Sequence, residues 1–299
     1  MAQTEHNPVV DGFMFLPYYD REKLENRAAD NFKFRPGDVV VSSLPKSGNV
    51  WTTEVLKAMY GDWGLQKFGD TAAAMVLDER TVFKKTLSKT RQRIVDAISA
   101  EDLPSPRLIR THLPATIFPC HVLKSNDVKV VHVTRNPKDN LVSWYHFLKT
   151  FAYGALTTGD WERTVLDFLD DKLPFTPWTQ YVAGWIKLGT DDNVLHVSYE
   201  EMKEDLPRVV KKIAVFLQRP LTEGDIEIVV NTTTVEAMRN RLSQMIITDD
   251  EFVPKGENPY VRKGIVGDWK NHFTVAQNEL FDSIIGEKVN SISPNIPYQ

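Results

Sequence analysis

The sequence predicts an α/β fold, with a central parallel sheet flanked by helices. Short apolar runs rich in β-branched residues have the composition of buried strands, and they cover residues 39–43, 108–111, 128–133 and 194–197. Helical patterns fall between and after these runs, as in folds that alternate strands with helices. No shift in composition marks a boundary along the 299 residues, so we predict a single domain over residues 1–299.

The first predicted strand leads into a turn that can hold an anion. Residues 43–51 read Ser-Leu-Pro-Lys-Ser-Gly-Asn-Val-Trp, and a helical pattern starts at Trp51. The turn therefore presents backbone N–H groups at a helix N-terminus, where anions bind. Lys46 adds a positive charge, and Gly48 lets a ligand approach the backbone closely. The spacing differs from that of a Walker A loop, and an ordinary strand-to-helix turn is the alternative.

The composition limits the partners and the compartment. Lys and Arg number 36 and Asp and Glu 40, a net charge of -4, so no nucleic-acid partner is expected. The single cysteine, Cys120, excludes an intrachain disulfide and favours a reducing compartment, which predicts a cytoplasmic protein. The apolar stretch at residues 13–16 is too short for a signal peptide or a membrane span, so no membrane partner is expected.

Polar residues follow the predicted strands, at the edge of the sheet where ligands collect in such folds. They are Lys46, Arg110 with His112, Arg135, and Ser198 with Tyr199. None of the four predicted strands ends in an aspartate, which a P-loop kinase uses to hold magnesium, so we expect a donor that needs no metal. Taken singly, His112 is more typical of a structural histidine than of a base.

Two further segments carry cations. Residues 134–139 read Thr-Arg-Asn-Pro-Lys-Asp, where Asn136 and Pro137 predict a helix start. Arg135 could be a surface ion-pair partner, but arginine also pairs bidentately with phosphate. Residues 261–270 read Val-Arg-Lys-Gly-Ile-Val-Gly-Asp-Trp-Lys, and a basic loop of this kind is usually just solvated.

Together these strings resemble the motifs of cytosolic sulfotransferases. The family forms are Tyr-Pro-Lys-Ser-Gly-Thr-Thr-Trp for residues 44–51, Lys-Thr-His-Leu-Pro for residues 110–114 and Arg-Lys-Gly-x-x-Gly-Asp-Trp-Lys for residues 262–270. Weaker matches are Tyr-Glu-Asp-Met at residues 199–202 and Thr-Ser-Phe-x-x-Met at residues 233–238. The resemblance spans residues 35–288 and leaves residues 65–98 without a clear pattern. The chain departs from the family at Leu44, Asn49, Val50, Arg110 and Val235.

The resemblance implies transfer of a sulfuryl group from 3′-phosphoadenosine-5′-phosphosulfate (PAPS) to an acceptor oxygen or nitrogen, with 3′,5′-adenosine bisphosphate (PAP) as product and no metal. It implies that His112 is the general base, that Lys46 neutralises charge on the bridging oxygen and that Arg110 assists. Ser143 would hold Lys46 aside until an acceptor arrives. The implied donor site is Lys46, Ser47, Gly48, Asn49, Val50, Trp51, Arg135, Ser143, Tyr199, Thr233, Val235, Met238, Arg262, Lys263 and Gly264. Trp51 would supply an aromatic face for adenine that Val235 cannot.

By the same resemblance, a small hydrophobic or aromatic acceptor would contact His112 and a cavity bordered by Phe147, Phe175, Trp178, Tyr181 and Phe252. Aromatic residues at such spacing belong more often to the core than to a binding cavity. Residues 65–98 are expected to shape the choice of acceptor. Residues 270–279 match the family's motif Lys-x-x-x-Thr-Val-x-x-x-Glu, which implies a homodimer through Lys270, Thr274, Val275 and Glu279.

The sequence leaves three alternatives open. A P-loop nucleotide kinase would require magnesium and bind ATP. A nucleotide- or ligand-binding protein without activity would account for the departures from the family motifs. A dehydratase would sulfonate an allylic alcohol and then eliminate sulfate, and nothing in the sequence separates that outcome from simple sulfonation.

Overall fold

Strands and helices alternate along most of the chain. The computed structural model describes residues 7–61, 75–84, 101, 103, 105–125, 127–150, 160–189, 192–245, 260–292, 296 and 298. In chain order the elements are β1 (Val9–Val10), β2 (Phe13–Met14), α1 (Arg21–Glu25), β3 (Val39–Ser43), α2 (Asn49–Tyr60), β4 (Met75–Val76), α3 (Leu77–Thr81), β5 (Leu108–Thr111), α4 (Val122–Ser125), β6 (Lys129–Thr134), α5 (Pro137–Thr150), α6 (Trp161–Leu169), α7 (Trp178–Leu188), β7 (Val194–Ser198), α8 (Tyr199–Glu204), α9 (Leu206–Phe216), α10 (Glu223–Thr232), α11 (Val235–Met245), α12 (Val275–Phe281) and α13 (Glu287–Ile292). A 3₁₀ turn, Asp268–Asn271, precedes α12.

The central sheet has five strands in the order β4-β5-β3-β6-β7. All neighbouring strands are parallel, and Val41 of β3 pairs with Arg110 of β5 and with Val131 of β6. Because parallel strands end at the same edge, the residues that follow β3, β5, β6 and β7 meet there. A separate antiparallel hairpin joins β1 to β2.

Side chains that alternate along the strands divide the core into two layers. One face carries Val40 and Val130 and packs under α5, α6 and α7. The other face carries Val41 and Val131 and packs under α2, α9 and α10. Both faces of the sheet are therefore covered, which is why the strands read as continuous apolar runs in the sequence.

The structure confirms the predicted α/β fold. The strands predicted at 39–43 and 108–111 have these bounds, and those predicted at 128–133 and 194–197 are observed as Lys129–Thr134 and Val194–Ser198. The two-residue strand β4 was not predicted. Among the described helices, none combines the length and apolar character that crossing a bilayer requires.

Candidate active site

The turn after β3 forms a cradle at the carboxyl edge of the sheet. Lys46 and Gly48 both have positive φ, 67° and 109°, and turns that include such left-handed residues can form concave anion sites lined by backbone N–H groups. A Cβ at Gly48 would lie 3.0 Å from Cδ2 of Tyr199, so glycine is needed there for the close approach as well as for its φ. Asn140 on α5 holds the turn, because its Nδ2 donates to the carbonyl of Pro45 at 2.8 Å and to Oγ of Ser47 at 3.0 Å.

Lys46 reaches from this turn toward α5. Its Nζ lies 4.2 Å from the ring centroid of Phe147, and Tyr260 is a second aromatic neighbour at 6.0 Å. Burial, followed by the positive charges of Arg135 and Arg262, lowers the pKa of Lys46 to about 7. An anion placed among these three cations would therefore favour the charged form of Lys46.

His112 follows β5 and leans on the end of β3. Its Nδ1 lies 2.8 Å from the backbone oxygen of Ser43. A carbonyl oxygen can only accept, so we assign the proton to Nδ1, which leaves the lone pair of Nε2 free to take a proton. Burial lowers the pKa of His112; the charge of Asp78 and the Ser43 hydrogen bond oppose this, and Arg110 and Lys46 add to it.

Two segments that are distant in sequence bring further cations to the cradle. Arg135 donates to the carbonyl of Lys46 at 3.1 Å and to that of Ile265 at 3.5 Å, and its guanidinium lies 4.3 Å from the ring centroid of Tyr199. Arg262 and Lys263 both bond to the buried carboxylate of Asp268, at 2.6 and 2.8 Å. Although burial acts in the opposite direction, these donors and Asn271 hold the pKa of Asp268 well below its usual value.

Sequence reasoning missed the residues in the first turn of α5 that join these segments. Asp139 is buried and accepts from the backbone nitrogens of Gly267 at 2.6 Å and Trp269 at 2.9 Å. Lys138 is also buried, and its Nζ bonds to Asp282 at 2.5 Å and to Asn278 at 2.6 Å. The available signal was the Lys-Asp-Asn string after a buried strand, where charged side chains need dedicated partners.

The predicted adenine-side residues lie together beyond the cradle. Nε1 of Trp51 donates to the carbonyl of Thr233 at 3.0 Å, and its ring meets Tyr199 edge to face at 5.3 Å. Oγ1 of Thr233 donates to the carbonyl of Val229 at 2.7 Å. Val235 approaches the basic loop so closely that a Cβ at Gly264 would lie 2.5 Å from its Cγ2.

The remaining donor-side residues have less distinctive surroundings. Met238 is buried, and Val50 is half-buried in the first turn of α2. Asn49 is also buried, and its Nδ2 donates to Oγ of Ser43 at 3.2 Å. Ser143 is half-buried in α5. Arg110 is half-buried on the α2 side of the sheet. Burial is the main cause that lowers the pKa values of Lys57 and His112, and the charge of Arg110 adds to it.

The predicted acceptor residues divide into two groups. Phe147 lies beside Lys46, and Phe175 meets the ring of His112 at 6.1 Å. Trp178 and Tyr181 are buried core residues, and Tyr181 donates to the carbonyl of Leu113 at 3.3 Å and contacts the ring of His132 at 6.2 Å. Phe252 lies outside the described residues.

Asp78 is a further residue that sequence reasoning missed. It lies in the first turn of α3, within the segment 65–98 that matched no pattern, and it is fully buried. Its oxygens accept from Tyr19, Thr111 and the backbone of His112.

Among the residues that the structure covers, no group of three or more His, Cys, Asp and Glu side chains is arranged to hold a metal.

The carboxyl edge of this parallel sheet gathers the cradle, His112 and several cations, an arrangement suited to binding an anion such as a phosphate group. A family model described as a sulfotransferase domain matches residues 36–293. Human sulfotransferase 1E1 is 32% identical over 270 residues, which cover 90% of this chain and 86% of that protein. The chain therefore belongs to the sulfotransferase family, which confirms the class of enzyme expected from its motifs.

Solved structures agree with this assignment. Mouse sulfotransferase SULT7A1, solved in complex with PAP, is 26% identical, with a TM-score of 0.73 and 94% of each chain covered. Retinol dehydratase, solved with retinol and PAP, has a TM-score of 0.75 at 22% identity and covers 96% of this chain and 90% of that one. The second likeness concerns the fold alone.

Proposed function

We propose that this protein transfers a sulfuryl group from PAPS to the hydroxyl, or the amine, of a small hydrophobic or aromatic acceptor. The observation that carries the proposal is the convergence of Lys46, Arg135 and His112 at one sheet edge. Nη1 of Arg135 lies 3.1 Å from the backbone oxygen of Lys46, and Nδ1 of His112 lies 2.8 Å from the backbone oxygen of Ser43. The PAP complex of the mouse relative supports the choice of donor.

The cradle residues Lys46, Ser47 and Gly48 would hold the 5′-phosphate of the donor at the N-terminus of α2, with Asn49, Val50 and Trp51 continuing the site along that helix. Arg135, Ser143, Arg262, Lys263 and Gly264 would surround the 3′-phosphate. Nη2 of Arg135 lies 3.5 Å from the backbone oxygen of Ile265, which follows Gly264, and this contact supports placing Arg135 and the basic loop around one phosphate. Tyr199, Thr233, Val235 and Met238 would border the adenine. The donor supplies the sulfuryl group and an anionic leaving group.

His112 would act as the general base. With Nδ1 bonded to Ser43, Nε2 presents the lone pair that accepts the proton of the acceptor hydroxyl while the acceptor oxygen forms its bond to sulfur. The lowered pKa of His112 keeps the ring neutral and ready to accept at physiological pH. Proton removal makes the acceptor oxygen a stronger nucleophile at the moment of transfer.

Lys46 would stabilise the charge that develops on the bridging oxygen as its bond to sulfur breaks. The pKa of Lys46 is about 7 because the residue is buried among cations. Negative charge that develops nearby therefore favours the protonated form of Lys46. Arg110 would assist at the transferred group, and Ser143 would hold Lys46 aside before the acceptor binds. Phe147, Phe175, Trp178 and Phe252 would line the acceptor side.

The remaining features of the proposal concern the whole protein. Residues 1–299 would act as one sulfotransferase domain in the cytoplasm, with no metal requirement. A homodimer would form through Lys270, Thr274, Val275 and Glu279. Thr274 caps α12, and Val275 is 77% exposed, which leaves an apolar side chain available for such an interface.

Calorimetry with PAP and a rate assay with radiolabelled PAPS test the proposal. We expect PAP binding, label transfer to a panel of phenols, sterols and amines, and no loss of rate in EDTA. His112→Ala should abolish transfer with nearly unchanged PAP affinity, whereas the matched variant at the exposed His121, His121→Ala, should keep the wild-type rate. Undiminished transfer by His112→Ala would remove His112 from the mechanism, and ATP binding with EDTA sensitivity would favour a kinase.

A further inference from the structure

Asp78 is a fully buried carboxylate directly beside the histidine that we assign as the base. The edge strand β4 pairs with β5 so that Val76 lies opposite Arg110. The chain then turns into α3, which brings Asp78 to the end of β5. The residue is 0% exposed, and a carboxylate is rarely buried in this way without a specific set of partners.

Every hydrogen-bond partner of Asp78 in the described structure is a donor. The hydroxyl of Thr111 bonds to Oδ1 at 2.6 Å, and the phenol of Tyr19 bonds to Oδ2 at 2.8 Å. The backbone nitrogen of His112 bonds to Oδ2 at 3.1 Å. Oγ1 of Thr111 accepts in turn from the nitrogen of Leu113 at 3.1 Å, so its own proton is directed to Asp78.

This arrangement holds the backbone of His112 on both sides. The nitrogen of His112 is fixed directly, and the next nitrogen, that of Leu113, is fixed through Thr111. The imidazole is then held at Nδ1 by the carbonyl of Ser43. The carboxylate also places a negative charge near the ring, and such a charge favours the imidazolium form.

Resting on the function proposed above, we propose that Asp78 is a positioning residue for His112. It fixes the main chain from which the imidazole projects, and its charge stabilises the imidazolium that forms when Nε2 takes the acceptor proton. Asp78 does not touch the reacting atoms in this role. Among the described residues, the other charged groups that act on His112 are Lys46 on the cradle and Arg110 on β5, both cationic, so Asp78 supplies the opposing charge.

The test compares Asp78→Asn with Asp38→Asn. Asp38 is also 0% exposed, and its oxygens bond to Arg107 at 2.5 Å and to the nitrogen of Arg35 at 2.9 Å. It precedes β3, at the opposite edge of the sheet from His112. Both substitutions remove a buried charge and leave donors imperfectly matched, so both should destabilise the fold.

Only Asp78→Asn should change the chemistry of the base. We expect kcat to fall about 10- to 100-fold, with the Kd of PAP changed less than about threefold. The acidic limb of the kcat profile should move to lower pH, because a neutral amide no longer favours the imidazolium. Asp38→Asn should keep the wild-type profile. The proposal would be overturned if Asp78→Asn left kcat and the acidic limb of its pH profile unchanged. It would also be overturned if Asp78→Asn and Asp38→Asn changed them equally.

A second variant covers the case in which Asp78→Asn does not fold. Thr111→Val keeps the side-chain shape and the charge of Asp78 but removes the hydroxyl that links it to Leu113. We expect kcat to fall about 3- to 10-fold with the acidic limb in place, and a wild-type kcat would overturn the positioning role. Wild-type protein that neither binds PAP nor transfers label would instead refute the proposed function, so the two failures are distinguishable.

Discussion

Gly264→Ala tests how the basic loop closes over the donor site. Gly264 has φ +69°, a region that costs a residue with a side chain about 1–2 kcal/mol. A Cβ there would also lie 2.5 Å from Cγ2 and 3.2 Å from Cγ1 of Val235. Carbon atoms in contact are ordinarily about 3.5–4.0 Å apart, so the loop would have to move away from α11 by about 1 Å.

The two costs can be separated, because the chain offers a matched control. Gly267 has φ +82°, but a Cβ there would meet nothing within 4 Å, so Gly267→Ala carries the backbone cost alone. Overpacking adds about 1–3 kcal/mol at Gly264. Since about 1.4 kcal/mol is a tenfold change in affinity, Gly264→Ala should weaken PAP binding about 10- to 100-fold more than Gly267→Ala.

Calorimetric titration with PAP measures the difference, and a double variant checks its cause. Adding Val235→Ala to Gly264→Ala removes both Cγ atoms and leaves a Cβ contact of 3.5 Å, which is tolerable. The double variant should therefore recover most of the lost affinity, with a coupling of about 1–3 kcal/mol. Equal losses at the two glycines, or no rescue by Val235→Ala, would refute the reasoning.

Three further predictions concern stability and assembly. Burial and the neighbouring His196 hold the pKa of His132 well below 6.5, so only the unfolded chain protonates it. Stability should fall as pH drops below about 6.5, by about 1.4 kcal/mol at about pH 5.5, and urea unfolding of His132→Phe should lack this contribution. Asp139→Asn should lower the free energy of unfolding by about 2–4 kcal/mol and weaken PAP binding, because Asp139 accepts from two backbone nitrogens of the basic loop. A wild-type free energy of unfolding together with a wild-type PAP affinity would contradict this anchoring role. Val275→Glu, at a side chain 77% exposed, should give a monomer in sedimentation velocity with unchanged thermal stability, and a monomeric wild type would contradict the proposed dimer.

The sequence predicted the sheet well because its strands are buried on both faces. Such strands are short, continuous apolar runs, so the strand from Val39 to Ser43 could be bounded without knowledge of its neighbours. β4 could not be found this way, because it is only two residues long and lies within the segment 65–98, which matched no pattern. The position of Asp78 depends on that strand and was missed with it.

Within the candidate site, sequence motifs identified the cations but not what holds them. The bond between Trp51 and Thr233 joins residues 182 positions apart, and that between Asp139 and Gly267 joins residues 128 apart. No periodicity in the sequence encodes contacts over such separations. The role of Asp268 could not be predicted either, because it depends on the hydrogen bonds that Arg262 and Lys263 both make to its carboxylate.

The first turn of α5 explains how these distant segments reach one edge of the sheet. Successive helical residues point about 100° apart, so Lys138, Asp139 and Asn140 face three different directions from a single turn. They bind the helix after the basic loop, the basic loop itself and the cradle, respectively. All three are at most 2% exposed, and a buried polar group is costly unless its partner is in place. The cradle and the basic loop are therefore each stabilised by the same short stretch of backbone, and displacement of that turn would be felt at both ends of the proposed donor site.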